Sequence, residues 1–243
     1  MVLTAALAVP LGAVLAVVVG VVVGVGVSLA LWRRAPAMLL RALGAEPAAE
    51  EQWPRPFGLV DGLCASMGLA GPALWVLDDP SANALVVGTW CGSAVLVVTS
   101  GLLTRLDPVQ LEGVLAHELV HLKRGDVVVG TMAAVLVLPF AGVLDVGRLV
   151  HRLRGRGNEL ATDQLAVAVT RYPPGLRHGL ETMVAMCDAG GPAPAARPTL
   201  QATAVGRSTR WLWTVALGPA PRGATAVGEL DAPDVRMAAL DEL

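Results

Sequence analysis

The chain has 243 residues, enough for one domain with a real core plus an appendage and too few for two large domains. Hydrophobic residues make up 54% and charged residues 16%, and the mean hydropathy is +0.61, which argues against an ordinary soluble domain and points to a membrane class. The formal charge of -2, with no basic stripe bearing interleaved aromatics, excludes nucleic acid as the expected partner.

From Val2 to Trp32 no residue is charged, and "LGAVLAVVVGVVVGVGVSLALW" from Leu11 matches the ~20 residues that a helix needs to cross the hydrocarbon core. The uncharged start and the closing "WRR" are unlike a cleaved signal peptide, so residues 1–34 read as an uncleaved transmembrane anchor. Arg33, Arg34 and Arg41 follow this segment and no Lys or Arg precedes it. The positive-inside rule then places the N-terminus outside and the rest of the chain in the cytoplasm, at the cell membrane. Residues 35–56, with Pro, Ala and Glu concentrated in "GAEPAAEEQWPRP", read as a linker. Cys64, Cys91 and Cys187 are scattered and odd in number, which suits small buried hydrophobes and not a disulfide framework.

The folded domain is expected over 57–188. "FGLVDGLCASMGL" predicts a helix that ends near Gly68 or Gly71, and "ALWVLD", "NALVVG" and "SAVLVVTSGLL" predict three short strands of a small sheet. A helix over about 108–124 follows, with Asp107 as N-cap, Pro108 at the first position, Gln110 in the capping-box place and Gly125 at the end. Residues 127–144 are apolar with Pro139 breaking the run and lead into "DVGRLVHRLRGRG", and "NELATDQLAVAVT" predicts another helix with Asn158 as N-cap. Residues 189–243 form an Ala/Gly/Pro-rich extension with one apolar island near 211–218 that packs on the domain or at the membrane interface.

The predicted 108–124 helix carries "HELVH". His117 and His121, four residues apart, project from one face and can bind a single Zn²⁺, while Glu118 beside them can act as the base toward an activated water. Zinc also needs a third protein ligand. Arg124 and Val127 occupy the glycine and third-histidine places of the extended pattern, so that ligand must come from downstream. Glu159 offers itself, with Asp163 four residues on and able to hydrogen-bond a ligating histidine, although a Glu/Asp pair on a helix is as readily a solvated face. His151 and His178 are the other candidates, neither with a supporting acid at helical spacing.

Taken together, "NALVVG", "VLVVTSGLL", "LEGVLAHELVHLKRGD" and "ELATDQLA" resemble, in order, the strand, turn, HExxH helix and ExxxD helix of the HtpX-like and CAAX-prenyl-protease-type membrane zinc metallopeptidases. The resemblance implies an α+β fold, an N-terminal transmembrane helix followed by a small zincin-type metallopeptidase domain. It implies one zinc per chain on His117, His121 and Glu159, Glu118 as catalytic base, and Asp163 and Asp126 supporting the ligands. It also implies an edge strand, Asn83, Ala84, Leu85 and Val86, that pairs with an extended protein or peptide substrate. "ELDAPDVRMAAL" keeps the family's terminal Pro, Arg236 and Leu240 but lacks its histidine, which leaves His178, Tyr172 and Arg236 as the candidates for stabilising the transition state.

The implied function is a membrane-anchored zinc endopeptidase in protein quality control. The alternative is a membrane-tethered sensor or regulatory protein that acts on one signalling target or only binds a partner. If His121 and Glu159 share a metal, the residues between them leave and return on one side of the lipid membrane, which predicts a short apolar hairpin over about 127–150 turning near Pro139.

Overall fold

The computed structural model describes residues 2–89, 91–140, 158–188, 203–209, 212–214 and 232–243. Helix α1 spans Val2–Leu43, about 63 Å at the helical rise, and its Ala16–Leu43 portion is long and apolar enough to cross a membrane. Val17, Val18, Val21, Val22 and Val25 are each more than half exposed, an apolar surface that no described part of the chain covers. Below Trp32 the helix changes role, because Ala35, Leu39, Leu40 and Leu43 are buried in the domain. The expectation of a linker over 35–56 is corrected accordingly: Ala35, Leu39, Leu40 and Leu43 fall on one helical face and seat the end of α1 as core.

Strand β1 (Glu46–Pro47) and helix α2 (Pro54–Met67) use the rest of that segment, and α2 stops at Gly68, whose φ of 66° is left-handed. The three apolar runs become β2 (Ala73–Leu77), β3 (Ala84–Val87) and β4 (Val95–Thr99). The sheet order is β1-β2-β4-β3, with β2 and β4 parallel and the other pairs antiparallel. Strand β3 is therefore an edge. Side chains alternate: Ala84, Val86, Leu96 and Val98 enter one core cluster, whereas Leu85, Val87 and Val97 enter a second with the end of α1. Burial of both faces explains why these strands read as continuous apolar runs without polar alternation.

After β4 come α3 (Ser100–Arg105), α4 (Pro108–Arg124), α5 (Val127–Val137) with a 3₁₀ turn at Leu138–Phe140, α6 (Asn158–Thr170), α7 (Pro173–Asp188), α8 (Ala204–Thr209) and α9 (Pro233–Leu240). Helix α4 lies against the first face of the sheet between α2, α6 and α7, and α9 closes on α6 and α7. Helix α5 packs on α1 and β3. At eleven residues it is about 16 Å long, half the hydrocarbon thickness, so it forms a short arm beside the domain. The expected turn at Pro139 falls in the 3₁₀ segment; the returning arm, His151 and most of the 189–243 extension lie outside the described residues. Of the apolar island, Leu212 and Trp213 pack into the second core cluster.

Candidate metal centre

Helix α4 is specified by its own ends. The Asp107 carboxylate accepts from the Val109 and Gln110 amides, both at 2.9 Å, and Gln110 Oε1 accepts from the Asp107 amide at 3.2 Å, a complete capping box. Gly125, with φ 75°, closes the helix by donating to the His121 carbonyl. One turn of this helix holds His117, Glu118 and His121, all buried.

The Nε2 atoms of His117 and His121 lie 3.2 Å apart, and Oε2 of Glu159 on α6 lies 3.2 Å from each. Three donors at such mutual distances suit a small tetrahedral ion, because ligands at about 2.0–2.1 Å from a tetrahedral centre stand about 3.3 Å apart. Two imidazoles and one carboxylate are a donor set for a transition-series dication and unlike the all-oxygen shells of calcium or magnesium.

Both histidines are held from behind. Nδ1 of His117 donates to Asp163 Oδ1 at 2.7 Å, and Nδ1 of His121 donates to the Asp126 carboxylate at 3.0 Å, so that each Nε2 faces Glu159 and, in the neutral imidazole, would offer its lone pair there. Asp163 is fully buried and is clamped by Arg236, Nε to Oδ2 at 2.6 Å and Nη2 to Oδ1 at 2.8 Å. Asp126 accepts from Asn158 Nδ2 at 3.2 Å, and Asn158 Oδ1 accepts from Arg124 Nη2 at 2.7 Å. Asn158 thus spends its side chain on tying α6 to the end of α4; the capping role expected of it is not the one it performs.

The electrostatics describe a site built for a cation. Burial alone would lower the His121 pKa, but the Glu159 and Asp126 carboxylates outweigh it and push the value up to about 10. His117 is raised in the same way, burial being outweighed by Asp163 and Glu159. Burial would raise Glu159, yet the two histidines hold it well below its ordinary range, and Arg236 and His117 likewise hold down the buried Asp163. Protons on the imidazoles occupy the place of positive charge that a metal would take.

Glu118 lines the same site, 3% exposed, and its Oε1 accepts from the Thr214 hydroxyl at 2.5 Å. The cavity beside it, walled by Val86, Glu118, His121, Glu159 and Trp213 among others, has a volume of about 10 Å³, room for one water. Of the anticipated edge strand, only Val86 lines this cavity. Asn83 precedes β3 and turns its Oδ1 back to the Ala84 amide, the Ala84 carbonyl accepts from the Thr214 amide at 3.0 Å, and Leu85 faces the other core.

His178 and Tyr172 do not line the cavity; His178 sits on α7, and Tyr172 is 52% exposed between α6 and α7. Arg236, the third transition-state candidate, is 1% exposed, and its guanidinium is engaged by Asp163 and the Thr214 carbonyl, behind His117. Thr214 was not foreseen, since a lone threonine in an apolar island 96 residues from Glu118 carries no local signal.

The peptidase family M48 model matches residues 59–189, the segment that contributes all three metal-facing side chains and Glu118. A protease HtpX homolog of Dictyoglomus thermophilum is 37% identical over 183 residues, covering 62% of this chain and 60% of the relative. A homolog from Dictyoglomus turgidum is 30% identical with the same coverage, and protease HtpX homolog 1 of Streptomyces coelicolor is 41% identical over 97 residues, 40% of this chain and 32% of the relative. The chain spans about 60% of the length of the first two relatives. No solved structure matches it. With the matched segment folded around a His-His-Glu cluster and a neighbouring glutamate, the chain belongs to peptidase family M48.

Proposed function

We propose that this protein is a membrane-anchored zinc endopeptidase that hydrolyses peptide bonds of unfolded or membrane-associated proteins on the cytoplasmic side, a quality-control role. The observation that carries the reading is the convergence of His117, His121 and Glu159, at 3.2 Å from one another, beside the Glu118 carboxylate and a water-sized cavity. Zinc held by the three donors would supply Lewis-acid activation of a water and of the scissile carbonyl.

The chain's own residues supply the rest. Glu118, with one oxygen committed to Thr214, has the other to take a proton from the attacking water and deliver it to the departing amine. Asp163 and Asp126 hold the imidazoles in the tautomer that leaves Nε2 to the metal. An extended peptide would pair with the outer side of β3 near Val86, where main-chain hydrogen bonds give affinity with little sequence demand. That tolerance suits substrates defined by lack of fold. The exposed apolar face of α1 and the arginines Arg33, Arg34 and Arg41 that follow it support a membrane anchor with the domain inside.

The test is cleavage of an unfolded reporter protein by the detergent-purified full chain, with zinc or with chelator, beside Glu118→Gln. Zinc-dependent cleavage that the variant lacks is the expected result. If wild type and variant hold stoichiometric zinc and neither cuts any unfolded reporter, the degradative reading is wrong.

A further inference from the structure

Glu118 and His117 are neighbours in sequence, and their side chains are also joined by a chain of hydrogen bonds through two distant segments. The Thr214 hydroxyl donates to Glu118 Oε1 at 2.5 Å, Arg236 Nη1 donates to the Thr214 carbonyl at 2.8 Å, Arg236 clamps Asp163, and Asp163 Oδ1 holds His117 Nδ1 at 2.7 Å. The Thr214 amide donates to the Ala84 carbonyl at 3.0 Å, which pins the same residue to the edge of the sheet. Every polar group of Thr214 is therefore used, and the residue is 4% exposed.

Resting on the peptidase reading above, we propose that Thr214 is a positioning residue for the catalytic base: its hydroxyl fixes the Glu118 carboxylate so that Oε2 faces the reacting water. Three features give the inference its direction. A glutamate side chain has three rotatable bonds, and a base must stay within hydrogen-bond reach of the proton it abstracts, so a fixed rotamer has value here. The Thr214 hydroxyl lies within donor reach of two acceptors, Glu118 Oε1 at 2.5 Å and the Ala84 carbonyl at 3.0 Å; the shorter contact goes to the carboxylate oxygen that chemistry does not need, and Glu118 Oε2 has no protein partner among the described residues. The donor is itself immobilised, by Ala84 on one side and Arg236 on the other, and Leu212 and Trp213 before it are buried in the second core.

The experiment measures two quantities on the zinc-loaded full chain in detergent: kcat and KM for an unfolded reporter, and the calorimetric affinity for acetohydroxamate, a zinc-chelating group whose hydroxyl proton is shared with the neighbouring carboxylate. Thr214→Val keeps the shape and removes the hydroxyl; Thr214→Ser keeps the hydroxyl. Loss of a hydrogen bond to a charged group predicts that Thr214→Val lowers kcat and weakens acetohydroxamate by roughly tenfold or more, with KM and zinc content unchanged, and that Thr214→Ser stays within about threefold of wild type. In a Glu118→Ala background Thr214→Val should leave acetohydroxamate affinity unchanged, because the coupling partner is gone.

Equal acetohydroxamate affinities in wild type and Thr214→Val overturn the proposal. So does a Thr214→Val enzyme faster than wild type, which would make the 212–214 segment a plug in the substrate cleft. If wild type fails to cut the reporter while the acetohydroxamate cycle still shows coupling, the peptidase reading falls and the positioning role stands.

Discussion

Gly113 of helix α4 and Leu176 of α7 meet backbone to backbone: a Cβ at Gly113 would stand 2.6 Å from the Leu176 nitrogen and 2.8 Å from its Cα. Gly175 and Gly179 repeat the close approach on the facing helix, where added Cβ atoms would meet the Val109 carbonyl at 2.9 Å and Val114 Cγ2 at 3.0 Å. The helix that bears both histidines is thus set in place by glycines.

Gly113→Ala reverses the usual sign of a glycine replacement. Alanine favours a helix interior by about 1 kcal/mol, but here it overpacks a backbone contact that cannot give way, at a cost of about 1–3 kcal/mol or more. The expected outcome is a lower melting temperature by several degrees together with reduced activity. A variant more stable than wild type would show that α4 and α7 can separate without loss.

Asp163→Asn should be among the most damaging single changes. It leaves the Arg236 guanidinium buried without its counter-charge, which typically costs about 3–5 kcal/mol, and it loosens His117, for which second-partner losses weaken metal binding about 10–100-fold. Asp126→Asn touches His121 in the same way at a more exposed place, so zinc affinity should fall with little loss of stability. Zinc competition against a fluorescent chelator, set beside denaturant unfolding, separates the two; equal stability losses would contradict the assigned burial.

These contrasts also mark what could be read from the residues alone. The α4 helix was legible because its signals are local: Asp107, Pro108, Gln110 and Gly125 act within four residues of themselves. The three strands were legible from apolar runs bounded by turn residues. Arg236 stood out by its place in the terminal segment, but its partner Asp163 lies 73 residues away, and no spacing rule reaches that far. Proline and glutamate around 44–56 concealed how the helix before them continues, since Ala35, Leu39, Leu40 and Leu43 are too few to stand out beside an apolar anchor. Thr214 had no signature at all, because its role exists only once β3, α4 and α9 have met.

Stripping the metal should make stability newly sensitive to alkali. His121 has a folded pKa of about 10 against an ordinary value near 6.5, so in the stripped protein its charged form stabilises the fold fully below about pH 6.5, and that contribution is lost as pH rises through 10. Glu159, held well below its ordinary value, contributes above about pH 4.5 and loses its contribution as pH falls. A metal held at His121 would take the place of its proton, so the loaded protein should show no such loss between pH 6.5 and 10. Melting temperatures of loaded and chelator-treated protein should diverge across that interval; parallel curves would contradict a shared site for His121 and the metal.

Thr131 decides whether the apolar arm α5 belongs to the domain or to the membrane. Its Oγ1 accepts from the Gly88 amide at 3.0 Å, both residues are buried, and Gly88 ends the run whose Val86 lines the site cavity. Gly88 lies past the last paired residue of the edge strand β3, so its amide depends on this bond, and a lipid-inserted α5 would leave the donor without an acceptor. Thr131→Val should cost about 1–3 kcal/mol by leaving a buried amide unsatisfied, and Thr131→Ser should restore most of it. Alongside, a cysteine placed at Val129, on the exposed face of α5, should react with a water-soluble maleimide more readily in Thr131→Val than in wild type if the arm has come off the domain. Unchanged stability in Thr131→Val would mean that α5 is held by its apolar contacts with α1 and β3 and not by this hydrogen bond.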